Sequence, residues 1–140
     1  MLNFRFLGVT AVLLLASCAN VEKEKIAAVP EFKTERGALS GTKQMIAGFY
    51  FVNGACASTG YPTLKVIKGP EHGKISIEQG VGAPNFSKDD GRSSCAAKTF
   101  PGTEMYYTSE AGFTGADSVS FERIGVTGDF ARYQYTIQVR

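Results

Sequence analysis

The sequence predicts an all-β domain, an antiparallel sandwich of about seven short strands. Two observations carry that expectation. From Lys43 onward, apolar and polar residues alternate with a period of two, as in strands that cover a core with one face and meet water with the other. The apolar stretches also come in short pieces among 16 glycines, which favours strands joined by turns over long helices.

In chain order, the predicted strands begin with Gln44–Val52 and Thr63–Ile67. In the next, Ile75 and Ile77 alternate with Lys74, Ser76 and Glu78. Glu104–Thr108 follows, and then Val119 and Phe121 alternate with Ser118, Ser120 and Glu122. The last run is the clearest: Ala131, Tyr133, Tyr135, Ile137 and Val139 alternate with Arg132, Gln134, Thr136, Gln138 and Arg140. Gly69-Pro70-Glu71-His72-Gly73 joins two runs within hairpin distance, and Gly112–Asp117 and Gly125–Asp129 punctuate the C-terminal half. Six runs, with a seventh candidate in Glu31–Thr34, fit an immunoglobulin-like sandwich. A small barrel is the alternative.

The N-terminus reads as an address. Arg5 precedes an apolar run from Phe6 to Ala16. At roughly ten residues it is too short for a spanning helix, which needs ~20, and suits a secretory leader. It ends in Leu15-Ala16-Ser17-Cys18, which resembles the lipobox of bacterial lipoproteins. The resemblance implies cleavage after Ser17 and acylation of Cys18. Several acyl chains together hold a protein firmly on a membrane. Ala19 in place of aspartate points to the outer membrane within that resemblance. The expected organisation is a signal peptide over residues 1–17, a lipidated N-terminus and flexible tether over 18–42, and the sandwich over 43–140. As a coil, the tether would span roughly 25–30 Å. The other reading of its end is an edge strand at Glu31–Thr34.

A second resemblance covers roughly residues 43–140. Val66–Ile75, with its Pro70-Glu71-His72-Gly73 hairpin, and Tyr107–Phe121, with its Gly112-Phe113-Thr114-Gly115-Ala116-Asp117 turn, are similar to bacterial Ig-like, cadherin-like repeat domains. That implies a β-sandwich, usually at a cell surface and usually non-enzymatic. Those domains commonly stand in tandem arrays, whereas this chain carries one copy, and its cysteines are not part of their pattern.

Setting Cys18 aside leaves Cys56 and Cys95, an even number in a chain read as exported, so a disulfide is expected between them. It would pin the polar stretch Gly80–Lys98. Net charge is only +2, with no block of like charges to follow a phosphate backbone, which argues against nucleic acid. His72 is the only histidine, so a metal site or a catalytic triad has little to build on, and it reads as a turn residue. Asp89 and Asp90 read as a solvated turn, and Asp117 as a carboxylate that bonds backbone amides where a strand begins. One of Tyr106 and Tyr107 is expected to use its hydroxyl at a strand corner. Phe49, Phe51, one of Tyr106 and Tyr107, Phe113, Phe121, Tyr133 and Tyr135 are expected in the core.

Tyr61, Phe86 and Phe100 lie in loop-like sequence near the two cysteines and are the candidate binding residues. A loop aromatic fixed by a crosslink can anchor a protein partner or stack on a sugar, although the favoured reading of these three is that they cap the end of the sandwich. The function expected is that of a non-catalytic envelope lipoprotein, without cofactor or metal, that binds or scaffolds another envelope protein. The alternative is a glycan- or peptidoglycan-binding module.

Overall fold

The structure, a computed structural model, describes residues 28–140. The leader, Cys18 and the first part of the tether lie outside the described residues. The fold is all-β, as the period-two pattern requires. Its strands are β1 (Glu31–Ala38), β2 (Lys43–Phe49), β3 (Phe51–Val52), β4 (Ser58–Gly60), β5 (Thr63–Lys68), β6 (Gly73–Gly82), β7 (Phe100–Ser109), β8 (Gly115–Ile124) and β9 (Phe130–Val139). One 3₁₀ turn, Ser93–Ala97, lies between β6 and β7.

Seven of these strands form two layers, in the orders β1-β9-β8-β5 and β2-β7-β6, while β3 and β4 make a separate small hairpin. Neighbours within the layers run antiparallel except β1, which lies parallel to β9 from Glu31 beside Arg132 to Ala38 beside Val139. The expected boundary of the domain at residue 43 is therefore corrected to Glu31: the end of the tether is an edge strand, and a longer one than Glu31–Thr34. Its own alternation is weak because an edge strand at the rim of the sandwich buries little, and only Ala38 is buried. Arg36 closes the rim, its Nε donating to the Ile46 carbonyl at 2.8 Å and its guanidinium lying 4.9 Å from the centre of the Tyr135 ring.

The core sits where the layers face each other. Ile46, Ala47, Met105 and Tyr107 come from one layer, and Leu64, Val119, Phe121, Tyr135, Ile137 and Val139 from the other. Each large side chain buried there contributes about 1.5–3 kcal/mol. Phe49, Phe113 and Tyr133 pack at its margin, whereas Tyr106 is on the outer face of its sheet, on the opposite side from Tyr107.

Asp117 is the polar pin of this core. Its carboxylate accepts from the amides of Glu71 (2.9 Å), His72 (3.0 Å) and Ser118 (2.8 Å) and from the Tyr107 hydroxyl (2.9 Å). The start of β8 is thereby tied to the β5–β6 turn. A side chain at Gly73 would collide with the Tyr107 ring and the Thr108 carbonyl, so the hairpin needs glycine there. His72 stacks on Phe113 at 4.2 Å, with Nδ1 3.7 Å from Glu110.

Candidate functional site

The β2 run does not continue to Val52 as the sequence suggests. It breaks at Tyr50, and the chain turns into the β3–β4 hairpin. Asn53 builds that turn: its side-chain oxygen accepts from the amides of Ala55 and Ala57, both at 3.0 Å. Cys56 follows with φ of 55°, a left-handed conformation that side chains rarely adopt, held by its amide donating to the Asn53 carbonyl at 3.0 Å. From there Cys56 is bonded to Cys95, on the 3₁₀ turn. The expected disulfide is thus present, and it joins the hairpin to the segment 83–99 between β6 and β7.

A second, small core forms around it. Val52, Cys95 and Phe100 are buried, with Tyr50, Cys56 and Phe86 packed against them. Phe100 is only 7% exposed and belongs to this core, which leaves it no face for a ligand. Tyr61 is 44% exposed but stands outside the groove described next. Of the three aromatics singled out in the sequence, Phe86 alone is on its wall.

The groove, of about 560 Å³, lies between this disulfide-bonded insert and the β8–β9 end of the sandwich. Its walls carry Tyr50, Phe51 and Phe86 together with two arginines, Arg92 and Arg123. Each guanidinium lies over an aromatic face: Arg92 is 4.4 Å from the Phe86 centroid, and Arg123 is 4.9 Å from that of Phe51. Arg92 also grips Asp90 through Nε (3.0 Å) and Nη2 (2.9 Å). Those side-chain bonds, with the Arg92 backbone amide, hold the Asp90 carboxyl down to about 2. Arg123 donates from Nη1 to Asp129 at 2.9 Å, and Thr127 donates to the other oxygen of that carboxylate at 2.8 Å. The Asp129 carboxyl is lowered, first by the Thr127 hydroxyl and then by Arg123. Nε of Arg123 is buried and has no hydrogen-bond partner among the described residues.

Tyr50 is fixed from below. Its ring lies across Gly48, Gly82 and Gly102, where any Cβ would run into it. Its hydroxyl donates to Glu104 at 2.6 Å, and Tyr106 donates to the other oxygen of that carboxylate at 2.6 Å. Glu104 is 7% exposed on the outer face of the central strand β7. Burial, and then the hydrogen bond to Glu104, push the Tyr50 phenol well above its ordinary range. The groove is therefore aromatic and charge-compensated, with Tyr50 held in place along this wall.

Sequence reasoning missed Tyr50, Arg92 and Arg123 as a group and placed Phe51 in the main core. One signal was available. Continuing the inward parity of Val119 and Phe121 lands on Arg123, and a cation at a core-facing position marks a layer that opens.

No family model matches the chain, and neither does any curated protein. Among solved structures, the chain is similar to amebosin in its solution structure, at 12% identity over 81% of this chain and 99% of that one, with a TM-score of 0.40. That likeness is too weak to carry a conclusion.

Proposed function

We propose that this protein is a non-catalytic envelope lipoprotein, held at the outer membrane by lipid on Cys18, which binds another envelope protein through the groove beside its disulfide. The groove carries the reading: about 560 Å³, walled by Tyr50, Phe51, Phe86, Arg92 and Arg123 and braced by Cys56–Cys95. Arginine and large aromatics in a walled recess are the side chains that dominate binding energy at protein interfaces. A wall fixed in advance lowers the ordering cost of association. The carboxylates at the groove are engaged by arginine, Asp90 by Arg92 and Asp129 by Arg123, which favours recognition over proton transfer. The order of the leader, cation, apolar run and then Leu15-Ala16-Ser17-Cys18, supports the anchor, and the single cadherin-like repeat resemblance supports a surface-binding role.

Crosslinking in intact cells followed by pull-down tests the reading. The intact chain and a Tyr61→Ala variant should recover the same envelope protein, and Phe86→Ala should lose it. Equal recovery from all three would remove the groove from the account. Retention on purified peptidoglycan that disappears with Phe86→Ala would transfer the site to the glycan alternative, in which the aromatic wall stacks on a sugar ring.

A further inference from the structure

The layer β2-β7-β6 ends on β6, an edge strand that pairs with β7 along all ten residues, Gly73–Gly82, without a bulge or proline. Its other side presents a row of backbone donors and acceptors with no strand beside it among the described residues. Edges of this length are normally protected, because they invite another strand to pair. The remaining edges of the sandwich are less inviting. β2 and β5 are each broken by a register shift, and Arg36 of β1 lies across β2 at Ile46. β1 offers one large apolar side chain, Phe32, which is stacked on Tyr133 at 5.1 Å.

The sequence of β6 is complementary to itself. Read in both directions from Ser76, it has Ile75 and Ile77 at the first step and Lys74 and Glu78 at the second. In an antiparallel pair of two such strands with Ser76 opposite its own copy, Ile75 faces Ile77, and Lys74 faces Glu78, twice by symmetry. We infer that β6 is the interface of a two-fold homodimer, in which two copies of this chain join their three-stranded sheets edge to edge in that register.

Three features of the edge agree with it. Ile77 is 41% exposed, although it points to the core side of β6. Apolar groups on the inner side of a rim gain burial when the layer is extended. Lys74 takes part in no ion pair among the described residues. Glu78 accepts from Lys43 (2.5 Å) and Ser76 (2.9 Å) through one oxygen, Oε1, which leaves Oε2 for a second cation. Opposite charges set directly across a strand pair stabilise it and like charges oppose it. The symmetric register therefore selects a second copy over an arbitrary extended peptide.

Sedimentation equilibrium of the full chain should give a reversible monomer–dimer equilibrium. Lys74→Glu leaves the Lys43–Glu78 pair intact but sets one carboxylate against Glu78 at each end of the register, and should weaken the dimer about tenfold or more. Adding Glu78→Lys to Lys74→Glu reverses both charges and should restore it. In a Cys18→Ser background, Ser76→Cys should crosslink to its own copy under mild oxidation, since paired antiparallel residues stand within disulfide reach. Circular dichroism of each variant separates misfolding from lost association. A chain that stays monomeric up to about 1 mM, a folded Lys74→Glu variant that dimerises as before, or a Ser76→Cys variant that fails to crosslink would each overturn the interface.

Discussion

The described residues form two cores built on different principles. The large one joins two sheets through eleven buried side chains, Phe121, Tyr107 and Ile137 among them. The small one, beneath the groove, has three buried residues and a covalent bond, Val52 and Phe100 packed around Cys95–Cys56. Apolar burial scales with the area removed from water, and a three-residue cluster removes too little to fix a loop by itself. A crosslink acts instead on the unfolded chain, by limiting the conformations it can reach. The insert that walls the groove is therefore held largely by a covalent bond, and the platform that carries it by packing.

The largest effect should come from breaking the platform. Phe121→Ala opens a cavity between the layers, where the ring packs on Tyr133 (5.1 Å) and Tyr135 (5.2 Å). We expect a loss of about 3–5 kcal/mol in urea denaturation, with both regions unfolding together. A variant that lost the groove first would mean that the small core, not the large one, limits stability.

Removing the crosslink should sharpen the contrast. The two cysteines are 39 residues apart, and closing a loop of that length is worth about 4 kcal/mol on the chain-entropy model, often less in practice. Paired Cys56→Ala and Cys95→Ala substitutions should lower global stability by up to that amount. In hydrogen exchange, protection should fall most at residues 50–60 and 84–98, while β8 and β9 stay protected until global unfolding. Uniform loss across the chain would erase the distinction.

The smallest effect concerns the polar pin of the large core. Burial pushes the Asp117 carboxyl up, but donors from the Glu71, Ser118 and His72 amides and the Tyr107 hydroxyl outweigh it, and the net shift is downward. A carboxylate lowered on folding adds stability above its unfolded value, near ~3.9, and that share is lost as pH falls through the folded value. Asp117→Asn should cost about 1–3 kcal/mol at neutral pH and flatten the acid limb of the stability curve. An unchanged acid limb would show that other carboxylates set it.

The platform was the more legible of the two regions, for a physical reason. Strands of a sandwich bury alternate residues, so β8 and β9 announce their faces through Val119, Phe121, Tyr133, Tyr135 and Ile137. β1 did not, because at the rim it buries little, and what holds it is pairing with β9, a strand at the other end of the chain. The groove was less legible still. Tyr50, the pair Phe86 and Arg92, and Arg123 lie on three separate segments, and only the meeting of the insert with the β8–β9 end brings them together. Glu104 reads as the wet face of a strand, and its burial depends on Tyr50 lying across three glycines from three different strands and segments.

By itself, the sequence determined the period of its strands, the two-layer class that follows, the turns where glycine and Asp117 belong, and which two cysteines would bond. Each depends on residues near one another in the chain or on simple parity. The tertiary structure alone decided the parallel seat of β1, the break at Tyr50, the burial of Phe100 and the walls of the groove. Those depend on which distant segments meet, and local alternation carries no record of that.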